Sequence, residues 1–506
     1  LFVGTSVADS AGKVHFGGYR PLQTQWIVIV LVAGDALIRL SLAVRVILRR
    51  LAVPVSLAWL VLLFFAPFVS VVLYLLVGEN RLGLRRAAWT ESFGRNLGAK
   101  TMDHWQAYAV HPGPEDPSGG QISHLCTAAS GFSPLPGNDL TLMDNSTEVL
   151  SGLVADIDSS KHHCHLLYYI WHPSGGGVTV GEALIRAADR GVQCRVLVDA
   201  VGSKSFMKSD LRERMERAGI KVVEALPVNA IRMLFARLDL RNHRKIAVID
   251  GVIAYCGSQN LADETFRVWR NPNVGPWVDA TLRIEGLAVR PLQTIFLRDW
   301  ACESEEQLPD VEQFFPSVPA QSPGGSIVHV VPSGPGPKPY TIHQALLAML
   351  HSAREEIMMT TPYFVPDEAM KAALINAALR GVSVTIILPV MLDARVVAAA
   401  SRSHYEDLLE AGVVIMHHHR GLLHAKTATV DRRLALVTSA NLDIRSFWLN
   451  FEVSIFVYDD DFASVLRFLQ TKYVTESTQI HLDEWRARSL WKQFIDNTAQ
   501  LAGPLL

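Results

Sequence analysis

The 506-residue chain lacks the marks of a disulfide scaffold, a zinc protein or a nucleic-acid binder. Its five cysteines, Cys126, Cys164, Cys194, Cys256 and Cys302, are odd in number, scattered, and never spaced as C-x-x-C. That usage fits buried thiols in a reducing compartment. Zinc-ligand spacing is missing too, and the run His417-His418-His419 does not replace it, because consecutive strand side chains point to opposite faces. No metal and no cofactor is expected. Charge of one sign is equally scarce: 47 Lys and Arg against 49 Asp and Glu leave a formal net charge of -2 and an isoelectric point near 6.9. A nucleic-acid surface would leave a basic footprint that this balance does not supply.

Apolar residues, by contrast, are abundant. The mean hydropathy of +0.19 is high for a soluble enzyme, and the excess sits at the N-terminus. Trp26 to Ile47 is an apolar stretch broken by Asp35 and Arg39, which stand four apart and can pair on one helix face. Val55 to Val77 is cleaner, interrupted only by Trp59, Pro67 and Tyr74. Each is close to the roughly 20 residues that cross a bilayer. The expected organisation begins with a tail over 1–20 and a membrane anchor over 21–80, its two transmembrane helices at about 25–47 and 55–77. Arginines flank both sides of the second stretch, so the positive-inside rule is nearly tied. Cysteine usage favours a cytoplasmic catalytic part, and two spans would make the protein multi-pass with both termini inside.

Beyond the anchor, a linker region over 81–137 precedes two similar halves, 138–312 and 338–506, joined by a Pro/Gly-rich linker over 313–337. The repeat is explicit: Ala183-Leu-Ile-Arg-Ala-Ala-Asp-Arg-Gly-Val192 is matched by Ala373-Leu-Ile-Asn-Ala-Ala-Leu-Arg-Gly-Val382. A period of about 180 to 190 residues is too long for a solenoid and fits a duplicated domain. In each half, helix-period segments alternate with short apolar strands, and Gly191 and Gly381 stand where a helix should stop. This order predicts an α/β fold in which each half is an α/β/α sandwich with a mixed, mostly parallel sheet.

The repeat also carries chemistry. H-x-K-x-x-x-x-D occurs as His243, Lys245, Asp250 and again as His424, Lys426, Asp431, each followed by a small polar turn, Gly257-Ser258-Gln259-Asn260 and Thr438-Ser439-Ala440-Asn441. Read as strands, both segments put His and Lys on one face. An imidazole can attack phosphorus or protonate a leaving oxygen, while an ammonium neutralises non-bridging oxygens. One half supplies one of each. Two-step phosphoryl transfer needs two imidazoles, so the halves are expected to meet about an approximate two-fold axis.

These two signatures resemble those of the phospholipase D superfamily, and the longer runs resemble its bacterial cardiolipin synthases. Those runs are Arg241 to Asp250, Gly257 to Asn260, Tyr363-Phe-Val-Pro366, Leu422 to Lys426, Asn441 to Ser446 and Leu449-Asn-Phe-Glu452, with the Gly78 to Gly83 exit and the closing Pro504-Leu-Leu506. Thr438 departs from a glycine common in the family. The resemblance implies two phospholipase D-like domains and a phosphatidyltransferase of the inner bacterial membrane. It would join two phosphatidylglycerol molecules into cardiolipin and glycerol through a phosphohistidine. In that scheme His243 is the nucleophile and His424 the acid and base, with the reverse assignment open. Lys245, Lys426, Asn260 and Asn441 hold phosphate oxygens, Ser258 and Ser439 add hydrogen bonds, and Glu452 and Asp279 orient the imidazoles. Asp250 and Asp431 support their strands. Hydrolysis of phospholipids, or transfer to another alcohol, needs no different signature, and a homo-oligomer is compatible with the sequence.

Overall fold

A computed structural model describes residues 7–8, 14–15, 21–49, 53–79, 102, 105–111, 117–227, 237, 239–263, 266, 275–304, 306, 308, 310–317, 325–336, 338 and 340–501. Residues 80–83 of the expected exit, the closing Pro504 to Leu506, and much of the tail and both linkers lie outside the described residues. The chain forms two compact units, 1–79 and 80–506.

In the first unit a 28-residue helix, Pro21–Leu48, contains the long apolar span Trp26–Leu48. Asp35 and Arg39 pair along it. The expected second transmembrane helix over 55–77 is instead two shorter helices, Val53–Phe65 and Pro67–Val77. The break falls where Pro67 brings a fixed φ and no N–H, and Ala66 before it leaves helical geometry at φ -132, ψ 63. One helix, not two, is long and apolar enough to span a bilayer among the described residues. At the end of the unit Glu79 accepts bonds from Arg45 (2.5 Å) and Tyr74 (2.8 Å). The Arg45 bond draws the Glu79 carboxyl down to about 2, against the opposing effect of burial.

The second unit is built on one continuous 16-stranded sheet rather than on two separate ones. Leu135–Met143 and Ser326–Ser333 pair antiparallel at its centre. Outward from Leu135–Met143 follow Thr281–Glu285, Ile253–Gly257, Ile246–Ile249, His163–Tyr168, Gln193–Asp199 and Lys221–Ala225. Outward from Ser326–Ser333 the repeat follows in the same order: Asn450–Tyr458, Leu434–Thr438, Thr427–Val430, Glu356–Thr360, Ser383–Pro389 and Val414–His418, with Ser477–Gln479 added at the edge. The expectation of a mostly parallel sheet is corrected. Among the described residues, parallel pairing is confined to three outer strands of each half, where helices make the crossovers, and to short contacts of one or two residues. Everything nearer the centre is antiparallel, because the strand after each histidine turns back directly as a hairpin, at Asp250-Gly251 and at Asp431-Arg432.

Helices cover both faces. Val289–Glu303 and Asp460–Thr475 share one face, and their core runs across both halves through Leu292, Phe296, Trp300, Leu466, Val330 and Val453. On the other face each half keeps its own core. Ser146–Ser159 and Gly176–Asp189 bury Leu153, Ile157, Val180 and Leu184; Thr341–Ser352 and Glu368–Leu379 bury Ile342, Leu346, Leu374 and Ala377. At ~1.5–3 kcal/mol for each large apolar side chain removed from water, these layers are the main source of stability. The two repeated decapeptides are the helices ending at Asp189 and Leu379, and Gly191 and Gly381 both take φ +88 just beyond them. Only a residue without a Cβ adopts that stop cheaply.

Candidate active site

Both signatures fall at a place where the chain changes partners. Arg241–Asn242 pairs parallel with Asn450–Phe451 of the other half, whereas Ile246–Ile249 pairs within its own half. Leu422–Leu423 likewise pairs with Trp277–Val278 across the halves, and Thr427–Val430 returns to its own. His243 to Lys245 and His424 to Lys426 are therefore not on regular strands, as the spacing suggested, but in the break between them. Each break bends the backbone so that the lysine reaches back: Lys245 Nζ donates to the His243 carbonyl and Lys426 Nζ to that of His424, both at 2.6 Å.

Crossing over puts each histidine beside a carboxylate from the opposite half. His243 Nδ1 donates to Glu452 Oε2 at 3.0 Å and lies 3.0 Å from the Ser439 carbonyl. His424 Nδ1 donates to Asp279 Oδ1 at 2.7 Å. The carboxylates are held in turn. Ser439 Oγ donates to Glu452 (2.5 Å), Asn450 Nδ2 donates to its other oxygen (3.2 Å), and Ser258 Oγ donates to Asp279 (2.6 Å). The hydroxyls of Ser258 and Ser439, expected on the phosphate, are thus committed to these carboxylates. With Nδ1 fixed as the donor, each imidazole offers Nε2 to the site.

Burial governs the charges. It pushes the His243 imidazole below its usual value, with Glu452 opposing, and takes His424 to about 3, with Lys426 adding to the fall and Asp279 opposing. Burial also draws Lys245 to about 8 and Lys426 to about 7, against the pull of Glu452 and Asp279. For the carboxyls burial works the other way, yet His243 and Lys245 keep Glu452, and His424 and Lys426 keep Asp279, below the ordinary range. The site therefore gathers two carboxylates held below their ordinary range and two buried lysines reluctant to hold their protons, a set whose lysines an anionic group would complement.

Asp250 and Asp431 lie away from this chemistry. Asp250 accepts the backbone N–H groups of Lys161, His162 and His163, each at 2.8 Å, and Asp431 those of Arg354, Glu355 and Glu356 at 2.8–2.9 Å. Each clamps the start of the neighbouring strand. Asn260 Oδ1 accepts from Ile170 N–H at 3.1 Å, while the buried Asn441 Oδ1 has no hydrogen-bond partner among the described residues. Among the described residues no group of three or more His, Cys, Asp or Glu is placed to hold a metal; His417 meets Tyr405 and His419 meets Thr478.

A family model described as "Cardiolipin synthase, PLD-like domain" matches residues 153–300 and 346–468, one segment in each half. The chain belongs to the cardiolipin synthase family. It is 38% identical over 477 residues to cardiolipin synthase A of Erwinia tasmaniensis, covering 94% of this chain and 98% of that one. The corresponding protein of Serratia proteamaculans is 37% identical over 481 residues, with the same coverage. Among solved structures, phosphatidylserine synthase of Haemophilus influenzae shares the fold at a TM-score of 0.58 and 14% identity, covering 76% of this chain and 100% of that one.

Several site residues of this family member escape a reading of spacing alone. The Tyr169 ring lies edge-on to His243 at 4.8 Å, and the Trp277 ring lies 4.4 Å from His424. Arg244, between His243 and Lys245, points the other way and donates to Asp299 (2.6 Å), the Glu452 carbonyl (3.0 Å) and the Ser333 carbonyl (3.1 Å). Alternation hints at its opposite facing, but nothing local names Asp299, which sits on a helix more than fifty residues away. Thr438 stands where the first half has Gly257. Its hydroxyl accepts from Ala440 N–H at 3.0 Å, whereas at the equivalent Gly257 a Cβ would sit 2.4 Å from the Ala280 carbonyl.

Proposed function

We propose that this enzyme makes cardiolipin by phosphatidyl transfer between two phosphatidylglycerol molecules, at one composite site formed by two halves related by an approximate two-fold axis. The observation that carries the reading is the reciprocal pairing of His243 with Glu452 and of His424 with Asp279. Nε2 of His243 attacks phosphorus, and the bond from phosphorus to the glycerol oxygen breaks. His424 gives that oxygen a proton, releasing glycerol. The hydroxyl of a second phosphatidylglycerol then loses its proton to His424 and attacks the phosphohistidine, which regenerates His243 and yields cardiolipin. Lys245 and Lys426 balance the charge on the phosphoryl oxygens, and Asn260 and Asn441 hold the same group. The arriving phosphodiester supplies the negative charge that restores both ammonium groups and lets His424 carry a proton.

The apolar N-terminal helix keeps the enzyme at the membrane that supplies both lipids, with the catalytic unit on the cytoplasmic side. Purified enzyme given labelled phosphatidylglycerol tests the reading. Cardiolipin and glycerol in equal amounts are expected, with acid-labile, base-stable label on the protein that disappears in His243→Ala. Phosphatidic acid in place of cardiolipin would refute transfer. A cysteine introduced at an exposed position of the catalytic unit, probed with a membrane-impermeant reagent on intact cells, tests the orientation: labelling from outside overturns it.

A further inference from the structure

The last described helix, Leu490–Gln500, is amphipathic in the inverted sense. Its acidic residue, Asp496, is 2% exposed and faces the protein, where it receives Arg402 (2.8 and 3.1 Å) and Arg488 (2.7 Å). Its apolar residues face out. Leu490, Trp491, Phe494 and Ile495 are between 44% and 82% exposed, and the Trp491 and Phe494 rings stack at 5.5 Å. At 100° per residue, these four positions and Leu501 share one arc of roughly 140°, a width that in a soluble protein belongs against the core. An ion pair inside and a tryptophan outside is the reverse of what water favours.

The exposed face does not end with the helix. It packs on Arg395–Arg402, whose Val396 is also exposed, as are Val390 and Met391 just before it. From there a cluster leads inward to the site: Leu392 and Leu422 are buried with Trp277 and Tyr363 against them, and the Trp277 ring lies 4.4 Å from His424. Charge is selective along this path. Within Ser489 to Leu501 the exposed charge is Lys492, and next to Val396 it is Arg395; Asp496 is turned inward and Asp393 accepts from the Tyr363 hydroxyl.

We propose that this face is a bilayer-docking surface: the Leu490–Gln500 helix and the 390–396 segment insert among acyl chains of anionic phospholipid and bring the rim of the His424 side of the site onto the membrane. The choice of occupant rests on the reading of the enzyme as a phosphatidyltransferase, and on three features of the surface. Aromatic and aliphatic side chains point outward, the exposed charges within Ser489 to Leu501 and beside Val396 are positive, and the Leu392 cluster links the 390–396 segment to Trp277 beside His424, where a lipid headgroup must arrive while its tails remain in apolar surroundings.

The test uses the full chain reconstituted in vesicles of phosphatidylglycerol and phosphatidylcholine. All five native cysteines are buried, so Phe494→Cys can carry a nitroxide label, with Asp210→Cys on an exposed helix as the aqueous reference. The label at 494 should collide with oxygen in preference to a water-soluble nickel chelate, and the label at 210 should do the opposite. Equal preference at both positions would overturn the proposal. So would spin–spin broadening at 494, which would assign the face to a second copy, or an immobilised label shielded from both probes, which would assign it to another segment of this chain. None of these readouts needs turnover, so they stand apart from the fate of the transferase reading. A Trp491→Ser, Phe494→Ser, Ile495→Ser variant with an unchanged melting temperature should need about tenfold more phosphatidylglycerol in the surface for half-maximal rate, with the saturated rate kept. An unchanged requirement would count against docking.

Discussion

Replacing Glu452 by Gln removes one charge and almost no volume, and it tests whether the crossed carboxylates set the imidazoles. Glu452 accepts three side-chain bonds, from His243, Ser439 and Asn450, so it can present only acceptor oxygens to Nδ1. An amide in its place can turn its NH2 toward Nδ1 and force the proton onto Nε2, the atom required for attack. Loss of a buried bond to a charged group costs about 1.5–3 kcal/mol, or roughly 10- to 150-fold in rate. The wrong tautomer multiplies this, as carboxylate-to-amide exchange in a Ser-His-Asp triad does, to about 10⁴-fold. The informative assay is a rapid-mixing burst with a phosphatidyl ester of p-nitrophenol, whose departure needs no acid. Glu452→Gln should lose the burst, because His243 cannot attack. Asp279→Asn should keep the burst and lose steady-state turnover, because His424 can no longer draw the proton from the incoming alcohol. A burst lost in Asp279→Asn and kept in Glu452→Gln would exchange the two histidines. Less than a tenfold change in both variants would refute the reasoning altogether.

Three further outcomes follow from the same geometry. Lys426 is held near 7 by burial, so the unfolded chain binds its proton more readily than the folded one between about pH 7 and 10, and stability falls as pH drops through that window. Lys426→Met should therefore raise the melting temperature at pH 7, should lose that advantage above about pH 10, and should abolish turnover at both; a lower melting temperature at pH 7 would contradict this. Asp431→Ala should lower stability by about 1–3 kcal/mol in urea unfolding, since three backbone N–H groups lose their acceptor and alanine inherits φ +50, whereas Asp431→Asn keeps an acceptor and tolerates that φ. Equal losses in the two variants would refute the clamp. Arg244→Ala removes the arginine paired with the buried Asp299 and should cost about 3–5 kcal/mol by the same assay, and Asp299→Asn in the same background should recover part of it.

How much of this was legible follows from the range of each interaction. Helices, their glycine stops and the strand order arise from periodicity within about fifteen residues, and the repeated decapeptide marks a helix that recurs at the same place in each strand order. The two histidines and two lysines were legible because their spacing recurs. Pairing direction was not. Alternating helices and strands suggest parallel sheets, but the hairpins after Asp250 and Asp431 are set by turns in which Asp250 and Asp431 take φ +52 and +50, and no pattern of hydrophobicity reports that sign. The divided second apolar stretch is a different case: Pro67 was visible, and its length and hydropathy outweighed a breaker that the backbone obeys.

The crossed pairing explains why the signature histidines leave their strands at all. A histidine on a continuous strand within its own half would meet only its own half's carboxylate, and each half would then be a complete but solitary acid or base. By pairing Arg241–Asn242 with Asn450–Phe451, and Leu422–Leu423 with Trp277–Val278, the fold makes each imidazole's orientation depend on the other half being in place. A chain with one half misfolded therefore presents no oriented imidazole. For the phosphohistidine route proposed above, such coupling would limit half-formed sites that spend the intermediate on water. It also predicts that a deletion of either half leaves no residual phosphodiesterase activity, where two independent domains would leave some.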